Sequence, residues 1–333
     1  MFKKLVQLVV MLSLSVTASA VFAKTIKIAT LSPDGTLWMN EMRAGAEEIE
    51  KRTQGRVAFK FYPGGVMGSD ENVLRKMRIG QLQGGAVTTG SLGDIYPDID
   101  IYSLPYLFSS FDQVDFVRKK MDKQLMDELE KKGMVSFGFG EGGFSYMMSD
   151  SSLYTVEDVR KQKVWVPGGN KVGEAVFSSA EVSPVTLPIS DVLTGLQTGL
   201  VNTVITSPIG AIALQWHTRV KYVIDVPLTY ITAMMVIDKK IFDGLKKEDQ
   251  AVVREVMGAA FKRIDAANRR DNQGAQEALK QQGIEYIALP KESLDAWYAI
   301  GDKAIKKLQK DGSYSAAIYK TITDYVTAAK AKH

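Results

Sequence analysis

Strand-like alternation and helix-like periodicity take turns along this chain, and that order constrains the fold more than any other feature. Residues 25–31 alternate polar and apolar side chains as a strand does. Ser32-Pro33-Asp34-Gly35 then turns the chain. Thr36 caps a helix carrying Leu37, Trp38, Met42 and Ile49, and Gly55 stops it. Residues 56–62 alternate again, which completes the strand, helix, strand unit of a parallel sheet with crossover helices. The pattern continues with a helix over 71–79, a buried strand over 84–89, an amphipathic helix over 112–132 and a strand over 134–140. A second run begins near Ser149: a helical turn over 156–161, a strand over 163–166, a helix over 171–180 and a strand over 185–188. A helix over 190–200 capped by Ser190 and a strand over 203–205 end it. Two such runs predict an α/β protein of two lobes with a ligand cleft between them. Residues 246–282 are helical in character, with Val252, Val253, Val256, Ala260, Phe261 and Ile264 at helical spacing. Such a helix spans both lobes as a shared spine, or breaks in two at Gly274.

The first 23 residues fall outside the pattern. Lys3 and Lys4 give a positive start, residues 5–16 an apolar stretch, and Ala18-Ser19-Ala20-Val21-Phe22-Ala23 a small-residue exit, the three parts of a secretory signal peptide. The apolar run is shorter than the roughly 20 residues that a membrane span needs. A mature chain beginning near Lys24, or near Val21 if cleavage follows Ala20, is expected to work in the periplasm. The sequence contains no cysteine, which excludes disulfides, thiolate metal sites, a cysteine nucleophile and a lipidated cysteine at the cleavage site. Folding therefore rests on core burial, which 333 residues at 45% hydrophobic content can supply. Of the formal net charge of +4, Lys3 and Lys4 contribute two, and the remainder selects neither nucleic acid nor an anionic membrane as partner.

Motifs for catalysis are sparse. Gly138, Gly140 and Gly143 have the spacing of a dinucleotide fingerprint, yet Phe144-Ser145-Tyr146-Met147-Met148 follows as a strand where the fingerprint needs a helix N-terminus. A tight interlobe crossover is the better reading. The histidines are His217 and the terminal His333, and His217, beside Trp216 in an expected helix, reads as a surface or supporting residue rather than a general base. Asp98 and Asp100 lack the further acids and the glycine of a calcium loop and read as turn carboxylates. Tyr102, Tyr106 and Phe108, beside Leu104 and Leu107, read as core. No cofactor is expected.

Pro63-Gly64-Gly65-Val66-Met67-Gly68-Ser69-Asp70, then Leu74, Met77 and Gly80, and later Leu104-Pro105-Tyr106-Leu107-Phe108, stand in a telling order. With residues 164–167, Leu196-Gln197-x-Gly199-x-Val201 and Val220-Lys221-Tyr222, this order resembles the DctP-type solute-binding proteins of tripartite ATP-independent periplasmic (TRAP) transporters. The resemblance implies a two-lobed periplasmic-binding-protein-like fold with a central cleft, crossover strands and a long helix spanning the lobes. Residues 24–143 with about 208–250 would form the first lobe and residues 144–207 with about 251–333 the second, bridged by the helix 246–282. It further implies a receptor, not an enzyme, that captures a small organic solute. The receptor hands that solute to a small DctQ-type and a large DctM-type membrane subunit, driven by an ion gradient. A partner-binding or signalling subunit without solute uptake is an alternative, which a cleft filled by side chains would favour. A secreted hydrolase is a further one, and His217 has no evident catalytic partner for it.

Departures from the family pattern point to the ligand. Many members carry an arginine in a Lys-x-Arg-Val-Pro strand, where a guanidinium grips the ligand carboxylate by two hydrogen bonds. Here the segment is Lys163-Val164-Trp165-Val166-Pro167. Ser145 stands where a second arginine often follows the crossover glycine, and Ile205-Thr206-Ser207-Pro208 replaces an asparagine-bearing segment. The expected ligand is therefore less anionic or more apolar than a C4-dicarboxylate. Trp165, Phe144, Ser145, Tyr146, Thr206 and Ser207 are the expected contacts from the second lobe, and Trp38, Asp70, Thr89 and Ser91 those from the first.

Overall fold

The computed structural model describes residues 24–331, so the leader expected over residues 1–23 and His333 lie outside the described residues. Strand β1 (Lys24–Thr30) pairs in parallel with β2 (Val57–Tyr62) and β3 (Gly84–Thr88), and helices α1 (Leu37–Arg52) and α2 (Asp70–Arg78) make the two crossovers. Each of these helices starts at a hydroxyl cap: the Thr36 side chain accepts from the Met39 N–H and that of Ser69 from the Asn72 N–H. Helix α3 (Phe111–Lys131), capped by Ser110, covers the other side. The apolar positions of β1, Ile26 and Ile28, are closed over by Met39, Met42 and Ile49 of α1 and by Val253, Met257 and Phe261 of the later helix α9 (Lys247–Gln281). Full burial of each such side chain is worth about 1.5–3 kcal/mol.

Two long antiparallel strands, β5 (Gly140–Ser149) and β10 (Thr229–Asp238), join the lobes. The C-terminal part of β10 pairs with β3 and with β4 (Met134–Ser136) in the first lobe. The C-terminal part of β5 pairs with β8 (Thr203–Thr206) and β9 (Tyr222–Ile224) in the second. Their register shifts between Ile231 and Thr232, opposite Gly142, so a β-bulge sits where one lobe passes into the other. The second lobe adds α4 (Val156–Arg160), the short parallel pair β6 (Trp165–Val166) and β7 (Val185–Thr186), α5 (Lys171–Ser179), α6 (Val192–Thr198) and α7 (Pro208–Ala213). Strand β11 (Glu285–Ile287) extends its sheet beside β9. After β10 come α8 (Lys239–Asp243) and α9; α10 (Lys291–Lys310) then packs on α5, and α11 (Ala316–Lys330) on α3.

Several boundaries differ from those read in the sequence. Residues 134–140 are not one strand: β4 ends at Ser136 and β5 begins at Gly140. Ser190 does not cap a helix over 190–200; a 3-10 turn Ile189–Asp191 precedes α6, and the Ser190 hydroxyl donates to Asp191 Oδ1 instead. Helix α9 runs unbroken through Gly274, packing on α1 in the first lobe and on α7 in the second. Residues 208–224 belong with the second lobe, because β9 hydrogen-bonds to β5 and β11, and the chain returns to the first lobe only along β10. Helix α11 packs on the first lobe, not the second.

Candidate functional site

A cavity of about 520 Å³ lies between the lobes, so the cleft is not filled by side chains. The C-terminal end of β3 reaches its wall at Thr88 and Thr89, and two carboxylates bracket that turn. Asp70, the first residue of α2, accepts from the Thr88 N–H at 2.9 Å and the Thr88 hydroxyl at 2.8 Å, both at Oδ2. Asp100 accepts at Oδ1 from the hydroxyls of Thr89 and Ser103, each at 2.7 Å. Burial pushes the Asp70 carboxyl up to about 6, partly offset by the Thr88 hydrogen bonds. The same cause holds Asp100 at about 6 against its two hydroxyl donors.

The second lobe supplies an apolar wall. Trp165 stands there edge-on to Trp216, with ring centroids 5.0 Å apart, and its indole N–H already donates to the Leu187 carbonyl at 3.0 Å. Only 2% of Trp165 is exposed, so most of the indole belongs to the core of its own lobe. Ser145 also lines the cavity, its hydroxyl 2.8 Å from that of Thr229. Ser207 caps α7 by accepting from the Gly210 N–H, and Thr206 lies beside it on the wall. Thr89 and Ser91 line the opposite side, Ser91 donating to the Thr88 carbonyl at 2.7 Å.

Three expected contacts lie away from the cavity. Phe144 and Tyr146 flank Ser145 on β5, and alternation along a strand sends neighbours to opposite faces; Phe144 packs between Phe111 and Tyr230. Trp38 packs edge-on against Phe261 and fills the space over Gly140, where a Cβ would come within 2.3 Å of the indole. His217 sits in a 3-10 turn with Nδ1 3.1 Å from the Ala211 carbonyl oxygen.

Sequence reasoning missed Glu71, Asn72, Asp100, Ser103, Phe177 and Trp216, all on the wall. The Asp98 and Asp100 spacing was a usable signal: Asp98 turns outward to accept from Ser315, while Asp100 turns into the cavity. No lysine, arginine or histidine lies among the lining residues. Arg43 pairs with Asp34 at 3.0 Å and Arg75 donates to Asn72 at 2.9 Å, both outside the cavity. At the cleft mouth Lys171 of the second lobe pairs with Asp94 of the first at 2.7 Å, and the Gly168-Gly169 turn lies against Glu71. The lobes are closed on each other.

The family model described as bacterial extracellular solute-binding protein, family 7 (DctP), matches residues 28–311. Among curated proteins, the chain is 25% identical over 254 residues to the C4-dicarboxylate-binding periplasmic protein DctP of Rhodobacter capsulatus, covering 75% of this chain and 76% of that one. It is 24% identical over 302 residues to a solute-binding protein of Albidiferax ferrireducens, covering 87% and 88%. Among solved structures, a TRAP periplasmic solute-binding protein of Pseudomonas putida F1 with bound D-glucuronate superposes with a TM-score of 0.81 at 21% identity, covering 92% of this chain and 97% of that one. The sugar acid-binding protein of Advenella mimigardefordensis in complex with galactonate gives 0.83 at 19% identity, covering 92% and 99%.

Proposed function

The chain belongs to the DctP family of extracellular solute-binding proteins, and from that premise we propose that the interlobe cavity is the ligand seat of a TRAP receptor. Members of this periplasmic family bind small organic solutes and work with membrane subunits. In our reading the leader at residues 1–23 exports the chain. The closed receptor then delivers its solute to a DctQ-type and a DctM-type subunit, whose ion gradient drives uptake. Seven expected contacts, Asp70, Thr89, Ser91, Ser145, Trp165, Thr206 and Ser207, form the binding wall, with Trp165 acting as a rigid backing rather than a hydrogen-bond donor.

The observation that carries this reading is a cavity of about 520 Å³ walled by both lobes, since closing around such a space makes contacts that the open state lacks. Three of the four relatives above are named for, or hold, carboxylates. This cavity has no cationic side chain, so a C4-dicarboxylate would lose its hydration without a charge-assisted partner. The receptor is assigned a less anionic solute, which it binds without chemical change. Mass spectrometry of the molecule released from the purified mature protein on gentle denaturation tests this. Returned at about 100 times its dissociation constant, that molecule should stabilise the fold by about 2.7 kcal/mol and be recovered intact. Recovery of an altered product whose formation depends on His217 would overturn the receptor reading.

A further inference from the structure

Resting on that receptor reading, we infer that the cavity selects a cationic solute, a small ammonium compound with an apolar body. Its charge would be held by the carboxylate of Asp70 or of Asp100, and its body by the wall of the second lobe.

Each of the two carboxylates is half used. Asp70 is only 8% exposed, and both of its hydrogen bonds fall on Oδ2; Oδ1 has no partner among the described residues. Asp100 spends Oδ1 on two hydroxyls and leaves Oδ2 without one, beside Gly90, where even a Cβ would come to 3.4 Å. Hydroxyl and amide donors satisfy lone pairs but do not neutralise a charge, and a desolvated carboxylate is costly unless paired. The charged groups on the cavity wall are Asp70, Glu71 and Asp100, all acidic and all from the first lobe; the second lobe contributes none. The other buried acids among the described residues, Asp249 and Glu141, have cations in place. Asp249 meets Arg56 at 2.7 Å, and Glu141 meets Arg269 at 2.7 Å. The missing cation is therefore one that the ligand brings.

A primary or secondary ammonium suits either free oxygen, because its N–H groups donate while its charge offsets that of the carboxylate. Opposite them, Trp165, Phe177, Val176, Ile189 and Ile205 offer apolar and aromatic surface for the rest of the molecule. A carboxylate ligand would meet three acids and no cation. Protonation does not rescue it at neutral pH, since carboxyls held at about 6 are mostly ionised there.

The test is a competition in equilibrium dialysis at pH 7.5. The full mature protein is offered an equimolar library of small amines, neutral amides and polyols, and carboxylic acids of matched size, and the retained compounds are identified by mass spectrometry. Retention of amines is the expected result. Retention of acids or neutral compounds overturns the charge assignment and leaves the receptor reading standing, whereas retention of nothing overturns both. The retained amine is then titrated against Asp70→Asn and Asp100→Asn, with melting curves to establish that each variant is folded. Asparagine keeps an oxygen able to accept the same hydrogen bonds, so folding should persist while affinity falls at least tenfold in the variant whose carboxylate holds the ammonium. Unchanged affinity in both folded variants overturns the assignment of the two carboxylates.

Discussion

Asp70 puts stability and binding in opposition at one residue. Its carboxyl, ordinarily at 3.8, is pushed up to about 6 by burial, and Asp100 behaves alike. A group whose folded value lies above its unfolded one contributes stability that is fully present below the unfolded value and lost as pH rises through the folded value. The ligand-free protein should therefore gain from these two groups on going from pH 7.5 to pH 5, and Asp70→Asn should shrink that difference. At pH 7.5 the variant should melt about 2 °C or more above the native protein; scanning calorimetry showing a lower melting temperature would mean that the buried charge is not a burden there. Trp165 gives the opposite case. With its N–H spent on Leu187 and 2% of its surface exposed, Trp165→Ala should cost about 3–5 kcal/mol of fold stability through the cavity it leaves. Denaturant unfolding checks this, and a stable variant with lost affinity would show that the indole serves the ligand more than the lobe. The sequence places Trp165 at the cavity because the resemblance supplies its position. The Asp98 and Asp100 pair is visible in the sequence, but which of the two faces the cavity depends on Thr89 and Ser103, which the fold brings to Asp100.

Order is more legible than pairing among the elements. Helix and strand periodicities announce β1, α1, β2, α2 and α3 within a residue or two, since each carries an apolar face and the three helices each have a hydroxyl cap. Strand β6 is two residues long and β7 is another two, too short for alternation to show where they end. Strand β9 cannot be assigned to a lobe from its sequence, because that depends on its bonds to β5 and β11. The Gly168-Gly169 turn after β6 is a small element with a large role, as it closes the mouth against Glu71. Gly169 has φ +71°, a left-handed conformation that costs an alanine about 1–2 kcal/mol. Its Cβ would also come within 2.2 Å of Glu71 Oε1, so the Glu71 side chain would have to turn away. If the open receptor leaves this turn free to relax, Gly169→Ala acts on closure rather than on folding. Calorimetric titration should then show affinity for the released solute weakened about tenfold, the equivalent of about 1.4 kcal/mol, with the melting temperature of the ligand-free protein little changed. Equal loss of both would place the strain in the lobe itself.

At the scale of the whole molecule, two packed lobes share four connections: β5, β10, the spine helix α9 and the turn between α10 and α11. Just before the bulge, Glu141 is fully buried, accepting from the Tyr230 hydroxyl at 2.8 Å and from Arg269 of α9 at 2.7 Å. The Asn268 amide binds its carbonyl oxygen. This network, with the Asn272 amide donating to the Gly142 carbonyl at 3.2 Å, fastens the crossover to the helix up to the glycines, which leaves the bulge as the expected hinge. At the rim the exposed Lys171–Asp94 pair, worth about 0–1 kcal/mol, and the glycine turn join the lobes, and behind them apolar residues of both, Leu104 and Val172 among them, lie in one buried cluster. The ion pair is too weak to hold the cleft shut alone, so the solute's contacts add to the free energy of closing. A solute shifts the equilibrium only as far as its contacts differ between the two states, and contact with both walls exists in the closed state alone. Small-angle scattering should accordingly show a larger radius of gyration without solute, falling to the value calculated for this closed arrangement when solute is added. Lys171→Ala should leave that contraction intact and change affinity less than about fivefold. If a tightly bound solute left the scattering unchanged, with the free protein already matching the closed arrangement, the bulge would not be a hinge and the rim contacts would hold the cleft shut unaided.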